Sequence, residues 1–259
     1  MLDSFLDLGD DIHDLVKHLY LDTKRAETGA MDKIMDSSFS QINTVCVPGA
    51  GFSGFWYSIG RLHAIKANKS IQKYKCFSAG CLGAVVTVLN HTIEDVLGKA
   101  LEAQQLFFSG SIHRYEVVEF FIDAILKLNK DEKFQFTNNT DYSREVEWIE
   151  DLTNINILTT GSNGRFHSRQ AKNFVELKTL LMQTTWIPYV TGRSMWRGNH
   201  ENFDDLVHMD GAFTIHTHPR CDGLKLGLPL KWNLWRSILS PSLDKDKALE
   251  FYNYGLSIL

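Results

Sequence analysis

The chain reads as a three-layer α/β domain, and three observations predict it. Short β-rich apolar segments alternate with helical periodicity over most of the length. A glycine turn, Gly49, Gly51 and Gly54 in "VCVPGAGFSGFW", directly follows the first of these segments. A serine among small residues, "CFSAGCLGA", separates the second segment from a helical run. The 259 residues are 44% hydrophobic, enough for a real core, and we read them as one domain spanning 1–259.

The elements follow in order. Residues 10–35 form an amphipathic pattern with Ile12, Leu15, Val16, Leu19 and Tyr20 on one side, an accessory helix within 1–40. Ile42 to Val47 is a short strand, followed by the glycine loop. A helix is expected from Phe55 to Ala67, with Ile59, Leu62, His63 and Ile65 placed for burial. "YKCF" is a second strand and "CLGAVVTVLN" a buried helix. Residues 92–129 are helical, and "KDEKFQFTNNTDYS" is a polar loop. "INILTT" and "RFHSRQ" flank "GSNG", a hairpin signal because Asn163-Gly164 accepts the positive φ of a tight turn. "NFVELKTLLMQTT" is a helix stopped near Pro188, and "LVHMDGAF" a strand running into a turn. "KWNLWRSIL" and "KDKALEFYNYGL" are helices within the C-terminal part, 225–259.

Charge and cysteines narrow the function classes. Lys and Arg number 27 and Asp and Glu 31, so the net charge of −4 gives no reason to expect nucleic acid. Cys46, Cys76, Cys81 and Cys221 form no C-x-x-C pair. Reduced, buried thiols in an intracellular protein, cytoplasmic or peripheral on membranes, are the expectation. The acidic N-terminal stretch lacks the pattern of a signal peptide. No apolar run reaches the length of a membrane span, so work on a membrane would happen at its surface.

Three glycines spelling G-x-G-x-x-G suit either a dinucleotide turn or an oxyanion hole. A dinucleotide site needs an acidic residue about 20 positions on, to hold the ribose hydroxyls. From Phe55 to Ile93 there is no Asp or Glu, and Ser78 stands where that acid belongs. Ser78 instead matches a nucleophile elbow, G-x-S-x-G. A sharp strand-to-helix turn projects the hydroxyl, and the helix N-terminus favours developing negative charge. Ala79 and Gly80 are small enough for that turn, while Cys76 takes the place of the first glycine. The plainer alternative is a serine capping a buried helix. Asp210, in "VHMDGAF", ends an apolar run before Gly211. A buried carboxylate with a raised pKa can take a serine proton directly.

Together "PGAGFSGFW", "CFSAGCLGA" and "MDGA" resemble the loop, elbow and aspartate motifs of the patatin-like phospholipase family. The match is closest to the adiponutrin-type branch, and "LKTLLMQTTWIPYVTG" is also similar to the segment before its aspartate. The resemblance covers the motif-bearing core, about 42–215. It implies an α/β/α fold with a mostly parallel central sheet and a Ser–Asp dyad without a catalytic histidine. Ser78 would be the nucleophile and Asp210 the general base. Amides around Gly49, Ala50 and Gly51 would form the oxyanion hole, and Cys76, Ala79, Gly80 and Gly211 would support the elbow. It implies no cofactor and no metal. This chain departs at Cys76, at Ser53 (arginine in many members) and in "GAFTIHTHP" after the aspartate.

Other features have bland and sharp readings. His216 and His218, with His208 or Cys221, could suggest zinc, but hydrogen-bonded or solvent-facing histidines are the simpler account. Arg61, Lys66, Lys69, Lys73 and Lys75 form a cationic stretch, a solvated face or an attraction to anionic lipid. "LPLKWNLWRSIL" suits a core-packed helix or interfacial insertion. The expectation is a lipid acyl hydrolase acting on phospholipids, lysophospholipids or acylglycerols at a membrane or lipid-droplet surface. The alternatives are a non-catalytic lipid-binding or interaction protein on that fold, and a nucleotide-binding oxidoreductase.

Overall fold

A computed structural model describes residues 41–49, 51–127, 151–195, 197, 207–213, 221, 223–227 and 244–257. The expected helix at 10–35, the polar loop at 130–143, "KWNLWRSIL", His216, His218 and Ala50 lie outside the described residues.

Residues with branched and aromatic side chains make a six-stranded sheet. Its path runs β4 (Phe166–Arg169), β3 (Ile155–Gly161), β2 (Ser70–Cys76), β1 (Gln41–Val47), β6 (Leu224–Lys225). A short β5 (His208–Asp210) also pairs with β3. Pairings β6–β1–β2–β3 are parallel, while β4 and β5 run antiparallel to β3. The protein is therefore mixed α/β with a mostly parallel central sheet. Val45, Cys46 and Val47 are all buried, as are Ile157 and Leu158, because a central parallel strand is covered on both faces. The hairpin expected at Gly161–Gly164 forms, with Gly164 at φ 70°.

The helices are α1 (Gly51–Asn68), α2 (Ala79–Val88), α3 (Ile93–Phe108), α4 (Val117–Lys127), α5 (Phe174–Thr184) and α6 (Lys245–Ser257). Phe55, Ile59 and Leu62 recur at helical spacing on the buried stripe of α1. The α1 helix begins at Gly51 rather than Phe55, so most of the expected glycine loop is helix. Residues 92–129 are not one helical run: α3 ends at Phe108 and a 3₁₀ turn, Arg114–Glu116, leads into α4. Thr92 and Asn173 cap α3 and α5 by accepting the Asp95 and Glu176 amides. From Gly80 to Thr87 every residue of α2 is buried. At the crossing of α1 and α6, a Cβ on Gly60 would strike the Tyr252 carbonyl, and one on Gly255 the Tyr57 carbonyl.

Two expectations are corrected here. All four cysteines are paired, Cys46 with Cys221 and Cys76 with Cys81. Paired cysteines do not support the intracellular location expected from reduced thiols, since such bonds belong chiefly to oxidising surroundings. Arg61 is buried on α1, so it does not join Lys66 and Lys69 on a cationic face. Lys66 itself donates to the Thr87 carbonyl and to Asn90 Oδ1. Among the described residues, no helix is long and apolar enough to cross a membrane.

Candidate active site

The site lies at the carboxyl ends of β1 and β2, where two parallel strands each turn directly into a helix. Both helices point their N-termini, with their unpaired amides and partial positive charge, at the same end of the sheet. Val47 and Cys76, the last residues of the two strands, are register partners.

Ser78 stands between β2 and α2 at φ 54°, ψ −141°. That backbone region is close to glycine-only and costs a serine roughly 1–3 kcal/mol. Three glycines from three segments make room for the turn. A Cβ on Gly49 would lie 2.5 Å from Ser78 Cβ, and one on Gly80 2.4 Å from the Pro48 carbonyl oxygen. One on Gly211 would lie 2.8 Å from Phe77 Cβ. Thr184, the last residue of α5, adds a polar bridge. Its hydroxyl accepts the Ser78 amide at 2.8 Å and donates to the Leu158 carbonyl at 2.6 Å. Gly80 and Cys81 donate to the Phe77 and Ser78 carbonyls. The Ala79 amide is the first N–H of α2, among those a helix leaves without an intrahelical acceptor. Ser78 is a cap by position only, since its side chain makes no capping hydrogen bond.

Asp210 reaches this turn because of how β5 pairs. Strand β2 leaves β3 after Cys76, opposite Ile157. Strand β5 then takes up the next stretch of β3, with Asp210 opposite Thr159. The carboxyl therefore arrives where β2 gives way to the elbow. The Asp210 amide donates to the Trp186 carbonyl at 2.9 Å, and its Oδ1 accepts the Ala212 amide at 2.9 Å. Oδ2 is buried without a hydrogen-bond partner. Asp210 is 1% exposed, and burial pushes its pKa up to about 7. The Ser78 hydroxyl and the Ala212 amide pull it down by favouring the ionised form, but burial dominates. The Ser78 hydroxyl acts on the carboxyl, while Oδ2 has no hydrogen-bond partner.

His208 anchors β5. Arg169 Nη2 lies 3.3 Å from its Nε2, and Thr159 Oγ1 lies 3.1 Å from its Nδ1. A guanidinium can only donate, so Nε2 accepts and the neutral ring carries its proton on Nδ1, toward Thr159. Burial first, then the charges of Arg169 and His167, push its pKa down to about 4. With His208 so engaged and Cys221 bonded to Cys46, neither is offered as a metal ligand.

The structure thus brings Ser78, Asp210, Gly49, Ala79, Gly80 and Gly211 together. Gly51 begins α1 at φ 57°, and Ala50 lies outside the described residues. Ser53 is buried within α1. Cys76 is bonded to Cys81 across the elbow. Sequence reasoning missed Thr184, the Trp186 carbonyl and the Thr159–His208–Arg169 chain. Thr184 and Thr185 close a helix just before the "WIP" segment, but a threonine there is most often an ordinary C-terminal residue. No protein-family model matches the chain, and no curated protein matches it.

Proposed function

We propose that the protein is a lipid acyl hydrolase with a patatin-like three-layer fold, using Ser78 as nucleophile and Asp210 as base. The observation that carries this is the succession of β2 and β5 along β3, which brings a strained serine beside a buried carboxyl of raised pKa. Strain at a non-glycine residue and a base poised near neutrality are both features that cluster at working sites.

The reaction runs in two halves. Asp210 takes the Ser78 proton, and Ser78 Oγ attacks the carbonyl carbon of a fatty-acyl ester. The oxyanion is held by amides at the helix starts, with the Ala79 N–H the first of α2 and Gly49, lacking a side chain, letting the two junctions approach. The C–O bond to the alcohol breaks, and Asp210 returns its proton to that oxygen. Water then attacks the acyl-enzyme, passes its proton through Asp210, and the fatty acid leaves as Ser78 is restored. The substrate class would be phospholipids, lysophospholipids or acylglycerols met at a membrane or lipid-droplet surface.

Labelling by a fluorophosphonate probe tests the assignment. Wild type should label and hydrolyse short-chain esters, and Ser78→Ala should do neither. Asp210→Asn should keep its fold by circular dichroism and lose at least about a hundredfold in turnover. Labelling that persists in Ser78→Ala would overturn the choice of nucleophile. A nucleotide-binding oxidoreductase fits less well, because Ser78, not an acid, follows the second strand, and the Gly49 backbone packs directly onto it.

A further inference from the structure

The Cys76–Cys81 disulfide brackets the candidate nucleophile. Cys76 is the final residue of β2, tied to Val47 on one side and Ile157 on the other. Cys81 is the third residue of α2. Both are fully buried, and their Cα atoms are 4.9 Å apart. Only Phe77 to Gly80 lie between them, and that segment holds the strained Ser78. We propose that this bond is a positioning clamp: it locks the strand-to-helix elbow so that Ser78 keeps its left-handed backbone and its hydroxyl stays beside Asp210. The inference rests on the reading of Ser78 as the nucleophile.

The placement favours a local role over a general one. A disulfide stabilises a whole fold chiefly by closing a long loop in the unfolded chain, and this effect shrinks as the loop shortens. Cys46–Cys221 spans 175 residues and is suited to that work, whereas Cys76–Cys81 spans 5. A ring that small restricts little beyond the elbow. Gly80 and Gly49 let the turn form, but glycine permits a conformation without enforcing it. The hydrogen bond from the Ser78 amide to the Thr184 hydroxyl is one restraint, and the covalent bridge is a second on the other side of the serine. Opening the bridge needs an external dithiol. Two electrons and two protons pass to the Cys76 and Cys81 sulfurs, the S–S bond breaks into two thiols, and the dithiol closes to its own disulfide.

The test compares wild type with Cys76→Ala/Cys81→Ala, by hydrogen exchange with mass spectrometry and by ester kinetics. In the variant, amides from Phe77 to Leu82 should exchange at least about tenfold faster, while β1 and β3 keep their protection. Turnover should fall at least about tenfold in kcat with KM little changed, because a misaimed nucleophile loses rate rather than binding. In wild type reduced by dithiothreitol, with opened cysteines identified by alkylation, molecules that keep Cys46–Cys221 should show the same local change. Oxidised glutathione should then restore kcat; this arm also serves if the variant does not fold. Unchanged exchange at 77–82 with unchanged kcat would overturn the clamp. So would faster exchange spread evenly over the sheet, which marks a bond that holds the whole fold. If exchange responds locally but wild type neither labels with fluorophosphonate nor turns over ester, the clamp stands and the nucleophile assignment falls.

Discussion

Two neighbouring strand-to-helix junctions solve the same backbone problem in different ways. After β1 the chain enters α1 through Gly51 at φ 57°, and after β2 it enters α2 through Ser78 at φ 54°. The strands are parallel partners, so the junctions sit side by side. Glycine takes that conformation without steric penalty. Serine does not, and its junction is held by a disulfide across the turn and a threonine bridge to α5, with Gly49 packed against the Ser78 side chain. On the proposed reading, the first junction is architecture and the second carries the chemistry. Strain is kept only where the side chain is needed and the surroundings hold it.

The strongest way to break this comparison is to crowd the second junction. Gly49→Ala puts a methyl 2.5 Å from Ser78 Cβ and 3.0 Å from the Phe77 ring, so backbone must move. We expect at least a hundredfold loss of ester turnover, read by steady-state kinetics, because roughly 1 Å of misplacement can cost that much.

Acidity probes the carboxyl at the same junction. With Asp210 near 7, kcat/KM should fall about tenfold per unit as pH drops below 7, because the protonated acid cannot serve as base. The stability effect has the opposite sign. The folded pKa lies above the unfolded value near 3.8, so between the two the native state holds a proton that the unfolded chain has lost. Asp210 therefore contributes falling stability as pH rises through that window, by a few kcal/mol at the order-of-magnitude level. Asp210→Asn should be more stable than wild type at pH 8 in urea melts, and the gap should close toward pH 4. A wild-type rate that stays flat from pH 8 to 5 would remove Asp210 as the base.

Removing the threonine bridge is a smaller intervention. Thr184→Val keeps the volume but leaves the Ser78 amide and the Leu158 carbonyl unpaired in a buried place. A loss of about 1–3 kcal/mol of stability is expected, together with a lower kcat. The smallest effects on stability come from exchanging the two solutions. Gly51→Ala should destabilise by about 1 kcal/mol, and Ser78→Gly should stabilise by about as much while abolishing turnover. If Ser78→Gly melts lower than wild type, the strain ascribed to this serine is not there.

Much of this was legible in the residues. "VCV", "INILTT" and the helical runs announced their elements because period and side-chain type act locally. The small residues around Ser78 announced a tight turn for the same reason. The disulfides were not legible, since four cysteines admit three pairings and none was in a telling spacing. Arg61 looked like part of a charged stretch because lysines follow it from Lys66 onward; in space it lies against the Gly255 turn of α6. Thr184 carried no signal, because a bridging hydroxyl and an idle one look alike in sequence.

By itself, the sequence determined the alternation of strand and helix, and a serine and an aspartate each set in a turn. Those follow from what each residue allows its own backbone to do. Only the tertiary structure decided that β5 would follow β2 along β3 and bring Asp210 to Ser78, and that Cys76 would bond Cys81. Register between remote segments depends on how whole faces pack, and no short stretch of chain contains that information.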